Sequence, residues 1–142
     1  MAKIDRPTDL VAQSMGGMVA MQTALKRPEL ISHLVLTVTS GGIDMRRFNQ
    51  EDWWSQYLRD LPDAPRWFVD DRTDLSDQLH TIETPTLLIW SDSDPVSPLA
   101  SGEFLAETLP NAELVMIKGA GHFLTRDQVD EVVPHIIKFR AT

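Results

Sequence analysis

Residues 10–17, Leu-Val-Ala-Gln-Ser-Met-Gly-Gly, constrain the fold more than any other stretch of this chain. An apolar run stops at a serine and two glycines, and a long apolar segment follows at once. The pattern predicts a short buried strand over 8–13, a turn without linker, and a helix over 15–26. Such a turn holds the Ser14 side chain out beyond the strand end and sets the first N–H groups of a helix behind it. Met18, Val19, Ala20, Met21, Ala24 and Leu25 make that helix apolar nearly all round, so it is expected to be buried on most sides. Lys26 suits its C-terminal dipole, and Pro28 ends it.

Further along, the same alternation repeats. Residues 33–39 are β-branched and apolar, 85–90 (Pro-Thr-Leu-Leu-Ile-Trp) are apolar throughout, and 113–118 form a further apolar run. Ser97-Pro98 reads as an N-cap and first helical residue of a helix reaching about 109. Asp127 is expected to cap a final helix whose apolar residues, Val129, Val132, Val133, Ile136 and Ile137, recur at helical spacing, with Pro134 kinking it. Near-continuous apolar strands alternating with helices define the α/β class, with about four mainly parallel strands covered by helices. Residues 43–82 break the pattern. They hold Trp53, Trp54 and Trp67, Pro62, Pro65 and many Asp and Arg residues, with one helix expected over 51–61, and read as an insertion within a single domain spanning 1–142.

Composition narrows the function classes. The net charge of −8, with no basic cluster, argues against nucleic acid or an anionic membrane as partner. The absence of cysteine removes disulfides, thiolate catalysis and Cys-ligated zinc. No apolar run approaches the roughly 20 residues that cross a bilayer. Residues 1–7 lack an apolar signal core, so a cytoplasmic location is expected.

Three polar residues fall just past predicted strand ends, the edge where loops converge in open parallel sheets. Ser14 reads either as a plain helix cap or as a nucleophile, and Gly16-Gly17 beside it favours the latter by allowing a strained, close-packed turn. His122 follows Gly119-Ala120-Gly121, which leaves room for its imidazole to reach across the edge and exchange a proton. His33, His80 and His135 fit surface or packing roles. In Ser91-Asp92-Ser93-Asp94-Pro95, Asp92 reads as a turn former. Asp94, stiffened by Pro95, is the better candidate to orient His122. The order Ser, acid, His, each after its own strand, is a specific joint signal.

These three segments resemble the C-terminal half of an α/β-hydrolase, in its esterase and lactonase branch, over about residues 8–140. Residues 12–17 are similar to the family's nucleophile elbow, 85–95 to its acid strand and loop, and 119–122 to its histidine loop. Ala12 and Ser91 stand where the family commonly has glycine. The resemblance implies a serine hydrolase of small-molecule esters or lactones, working through Ser14, Asp94 and His122 with the Met15 N–H as oxyanion donor. It makes 43–82 a short cap, with Trp53, Trp54, Trp67 and Phe68 read either as substrate-binding residues or as plain packing of the cap onto the sheet, and calls for no cofactor or metal. The segments that precede the elbow in the family, with its second oxyanion donor, have no counterpart here. A homo-oligomer, or a partner chain completing the sheet, is therefore expected. The alternative is a catalytically silent fragment serving as a binding or assembly module.

Overall fold

The computed structural model describes residues 5–48 and 52–142, with the side chains of Trp53, Gln56 and Phe68 outside the described set. Four strands form one parallel sheet in the order β1-β2-β3-β4: β1 (Thr8–Gln13), β2 (Ile31–Thr37), β3 (Thr86–Ser91) and β4 (Ala112–Ile117). Sequence order and spatial order coincide, so the four C-terminal strand ends line one edge in the sequence Ser14, Val38, Asp92, Lys118.

Alternation along the strands divides the core in two. Leu34, Leu36, Leu88 and Trp90 face one side. There they pack with α1 (Met15–Lys26), the buried Leu105 and Leu109 beside α4 (Leu99–Thr108), and Ile43, Leu75, Leu79 and Ile82 from the ends of the 43–82 segment. Val35, Leu87, Ile89 and Ile117 face the other side, against Leu124 of α5 (Leu124–Asp127) and Val132 and Phe139 of α6 (Val129–Arg140). All six residues of β3 are buried, which is why it reads as an unbroken apolar run rather than an alternating one. A fully buried Leu or Ile there contributes roughly 1.5–3 kcal/mol over an exposed one.

Among the described residues, 43–82 holds no strand. It consists of 3₁₀ turns at Met45–Arg47 and Ser76–Thr81 and two short helices, α2 (Trp53–Asp60) and α3 (Trp67–Asp70). Its return end is pinned where the Leu75 N–H donates to the Gly42 carbonyl (2.8 Å).

Several local expectations change in the tertiary setting. Helix α1 is not buried on most sides: Met15 and Val19 are exposed, because among the described residues no layer covers that flank of β1. The Ser97 hydroxyl does not cap α4. It donates to the Val38 carbonyl (3.0 Å), and Pro98 takes the cap position. Asp127 ends α5 rather than capping α6. Its carboxylate pairs with Arg126, and Gln128 stands at the start of α6, which runs through Pro134 as one element. No helix of the described residues is long and apolar enough to cross a membrane.

Candidate active site

The site forms where the four strand ends meet. Ser14 sits between β1 and α1 with no linker, at φ 50° and ψ −125°, a region that costs a non-glycine residue about 1–3 kcal/mol. Its surroundings over-determine it. The Ser14 N–H donates to the Thr37 carbonyl (3.0 Å), and the Ser14 carbonyl accepts from the Gly17 N–H (2.9 Å) and from the Thr39 hydroxyl. Gly17 is required for that approach: a Cβ there would lie 2.2 Å from Thr39 Oγ1. Thr39 is wholly buried and also accepts from the Gly41 N–H (3.1 Å). Its neighbour Val38 is itself left-handed (φ 37°). Val38 is held by its N–H on the Ile89 carbonyl (3.2 Å) and by Ser97 on its own carbonyl.

Asp94 is buried in the loop after β3. One carboxylate oxygen closes an Asx turn, accepting from the N–H groups of Val96 (2.8 Å) and Ser97 (3.1 Å). The other accepts from His122 Nδ1 at 2.7 Å. With Asp94 accepting, Nδ1 carries the proton and Nε2 is left as an acceptor. Ser14 Oγ stands 3.0 Å from that Nε2. The three residues picked from the sequence are thus one hydrogen-bonded row: hydroxyl, imidazole, buried carboxylate. Such a row lowers the cost of removing the hydroxyl proton, because the imidazole accepts it while the carboxylate stabilises the resulting cation. Met15 opens α1, so its N–H is among the first-turn donors left without an intrahelical acceptor, beside Ser14.

Asp92 does more than form its own turn. Its Oδ1 accepts from the Gly119 N–H (2.7 Å), tying the acid loop to the histidine loop across 27 residues. That bond first, and the Ser93 hydroxyl second, hold the Asp92 carboxyl below its ordinary value. Gly119 meets the contact at φ +68°. The sequence reading missed Gln13, Thr39 and Ser97. Gln13 and Thr39 are polar residues at or beside an apolar strand end and Ser97 lies in the loop before α4, a signal without meaning until the partner loop is known.

A cavity of about 350 Å³ lies between α1 and the 43–82 segment; Met18, Ile43, Met45, Trp54, Leu58 and Val69 line it together with the charged Asp44, Arg46, Arg66, Asp70, Asp71 and Arg72, and Ser14, Asp94 and His122 are not among its lining residues. Of the four aromatic residues expected to contact substrate, Trp54 lines it. Trp67 is half exposed and is not among the lining residues. Two residues along a helix is about 200° of rotation, so with Val69 facing the cavity Trp67 faces away. The side chains of Trp53 and Phe68 lie outside the described residues. Among the described residues, no group of three or more His, Asp or Glu is arranged to hold a metal ion.

The family profile described as alpha/beta hydrolase fold matches residues 2–73 and 44–126. The chain therefore belongs to the α/β-hydrolase family, as its parallel sheet and strand-end site define it. It is 27% identical to an uncharacterised hydrolase of Bacillus subtilis, YugF, over 92% of this chain and 64% of that protein. It is 24% identical to the pimeloyl-[acyl-carrier protein] methyl ester esterase of Neisseria meningitidis, over 85% of this chain and 64% of that one. Among solved structures, the putative non-heme bromoperoxidase BpoC of Mycobacterium tuberculosis superposes with a TM-score of 0.76 at 22% identity, covering 95% of this chain and 67% of that one. The last likeness is one of fold alone. This chain spans about 64% of the length of the two relatives.

Proposed function

We propose that this chain is a serine hydrolase of a small-molecule ester or lactone. The observation that carries the reading is the unbroken pair of hydrogen bonds from Ser14 Oγ through His122 to the buried Asp94 carboxylate. Ser14 Oγ attacks the acyl carbon while His122 Nε2 takes its proton, and the carbonyl π pair moves to oxygen. The Met15 N–H receives the resulting oxyanion. Collapse of the tetrahedral adduct breaks the acyl–oxygen bond, and His122 returns the proton to the leaving alkoxide. Water, deprotonated by the same nitrogen, then attacks the acyl-serine, releasing the carboxylic acid and restoring Ser14. Asp94 keeps the imidazole in the tautomer and orientation that both halves need.

The cavity between α1 and the 43–82 segment is the candidate place for part of the substrate: Met18, which lines it, lies one turn along α1 from Ser14, about 6 Å by helical rise. Trp54, Leu58 and Val69 add apolar lining, beside the charged Asp44, Arg46, Arg66, Asp70, Asp71 and Arg72. The Neisseria relative, an esterase by name, supports the choice of ester chemistry.

A fluorophosphonate probe tests the assignment directly. The folded chain is expected to be labelled stoichiometrically and the Ser14→Ala variant not at all, with hydrolysis of a short p-nitrophenyl ester lost in parallel. Absence of labelling in the folded wild-type chain would overturn the reading in favour of a catalytically silent binding or assembly module.

A further inference from the structure

We infer that Gln13 is a positioning residue that sets the histidine loop over the serine; the inference rests on the hydrolase reading above for its kinetic consequence, and on geometry alone for the rest. Leu10 and Ala12 pack toward α1, so the two-residue period of β1 turns Val11 and Gln13 to the opposite face, where α5 begins. Gln13 ends the strand and directly precedes Ser14. From there its side chain reaches across 109 and 112 residues of sequence: Nε2 donates to the His122 carbonyl at 3.1 Å, and Oε1 accepts from the Thr125 hydroxyl. The orientation of the amide is fixed by chemistry. A carbonyl only accepts, so the NH₂ must face His122, and that leaves Oε1 to the one partner able to donate, Thr125.

The two contacts hold the histidine loop at two points. One grips the backbone of His122 itself, the other the start of α5 three residues on. Asp94 orients the imidazole from one side, but it does so through a loop that follows β3. The distance between Ser14 and His122 is a distance between β1 and the loop after β4, strands that lie at opposite edges of the sheet with β2 and β3 between them. Gln13 spans that separation with a single side chain rooted one residue from the hydroxyl. Any drift of the histidine loop is thereby referred to the same strand end that carries the nucleophile. An error of about 1 Å at this point costs on the order of 10²-fold in rate.

The test compares Gln13→Leu and Gln13→Glu with the pair Thr125→Val and Thr125→Ser. Two readouts are followed: kcat and KM for a p-nitrophenyl ester, and the downfield proton resonance of the His122 Nδ1–H. Gln13→Leu removes both contacts, while Gln13→Glu keeps the shape but turns a carboxylate oxygen on the His122 carbonyl. Both are expected to lower kcat by roughly 10- to 100-fold with KM unchanged, and to broaden or shift the Nδ1–H resonance. Thr125→Val is expected to lower kcat less, and Thr125→Ser, which keeps the hydroxyl, to restore it. If Gln13 variants fail to fold, the Thr125 pair decides alone: equal kcat and equal resonance in Val and Ser variants overturns the inference. So does a folded Gln13→Leu with wild-type kcat and resonance. Should the wild-type chain hydrolyse no ester, the hydrolase reading falls while the resonance still tests the positioning.

Discussion

Ser14 holds a backbone conformation that few non-glycine residues adopt, and three hydrogen bonds to its own backbone N–H and carbonyl keep it there. That strain is what separates a presented hydroxyl from an ordinary helix cap, and it places Oγ 3.0 Å from His122 Nε2. The other end of the row is as sharply defined, since both oxygens of Asp94 are engaged. Asp94→Asn preserves the shape and one oxygen for the Val96 and Ser97 N–H groups. It turns an NH₂ toward Nδ1, which then has to accept, moving the ring proton to Nε2, so that Nε2 donates to Ser14 Oγ and can no longer take its proton. On the proposed mechanism kcat is expected to fall by about 10⁴-fold, with the far-ultraviolet circular dichroism unchanged. A variant retaining a tenth or more of the wild-type kcat would remove Asp94 from that role. At this scale the sequence was most legible. Ser14, Asp94 and His122 each carry a local mark, a glycine or proline neighbour at a strand end. Gln13 carries none, and the marks beside Thr39 (Gly41) and Ser97 (Pro98) point to a turn and a helix cap rather than to their partners on other loops.

The elements are held together at both ends of the sheet. At the end opposite the site, Asp9 of β1 accepts from His33 Nδ1 of β2 (2.8 Å) and from the Arg140 guanidinium at the close of α6. The His33 ring also meets Phe139 edge to face at 5.5 Å. Those contacts, His33 first and Arg140 second, lower the Asp9 carboxyl from its ordinary 3.8. A depressed carboxyl stabilises the fold above its unfolded value and loses that contribution as pH falls through the folded one. The difference in unfolding free energy between wild type and Asp9→Asn is therefore expected to be larger at pH 5 than at pH 3, read from urea titrations at both. An equal difference at the two pH values would mean that the cluster does not favour the ionised form. Strand and helix existence followed from apolar period, and β3 was legible because burial on both faces leaves its interior, Leu87 to Trp90, apolar without a break. Caps were not. Ser97 and Asp127 have ideal capping chemistry, but Ser97 found a partner 59 residues away, and Asp127 paired with the adjacent Arg126 at the end of α5.

For the whole molecule, the decisive feature is the edge at β1. Among the described residues that strand pairs with β2 on one side only. Val11 on the strand, and Met15 and Val19 on the helix that follows it, are exposed. An unpaired apolar edge is a template for another strand, and in a purified sample the available strand is that of a second copy. We propose that two copies pair along β1. Light scattering behind size-exclusion chromatography is expected to give twice the mass of one chain at micromolar concentration. Val11→Lys, which sets a charge on that edge, is expected to return it to one. A wild-type monomer under these conditions would refute the pairing.

By itself the sequence determined the α/β class, the order of the strands along the chain and the three residues at their ends, because apolar period and turn chemistry act over a few neighbours. Tertiary structure alone decided which loops touch. The 3.0 Å and 2.7 Å contacts, the Gln13 bridge and the exposed flank of α1 join residues up to 112 positions apart or depend on what covers a surface. Only the packing of four parallel strands fixes such distances.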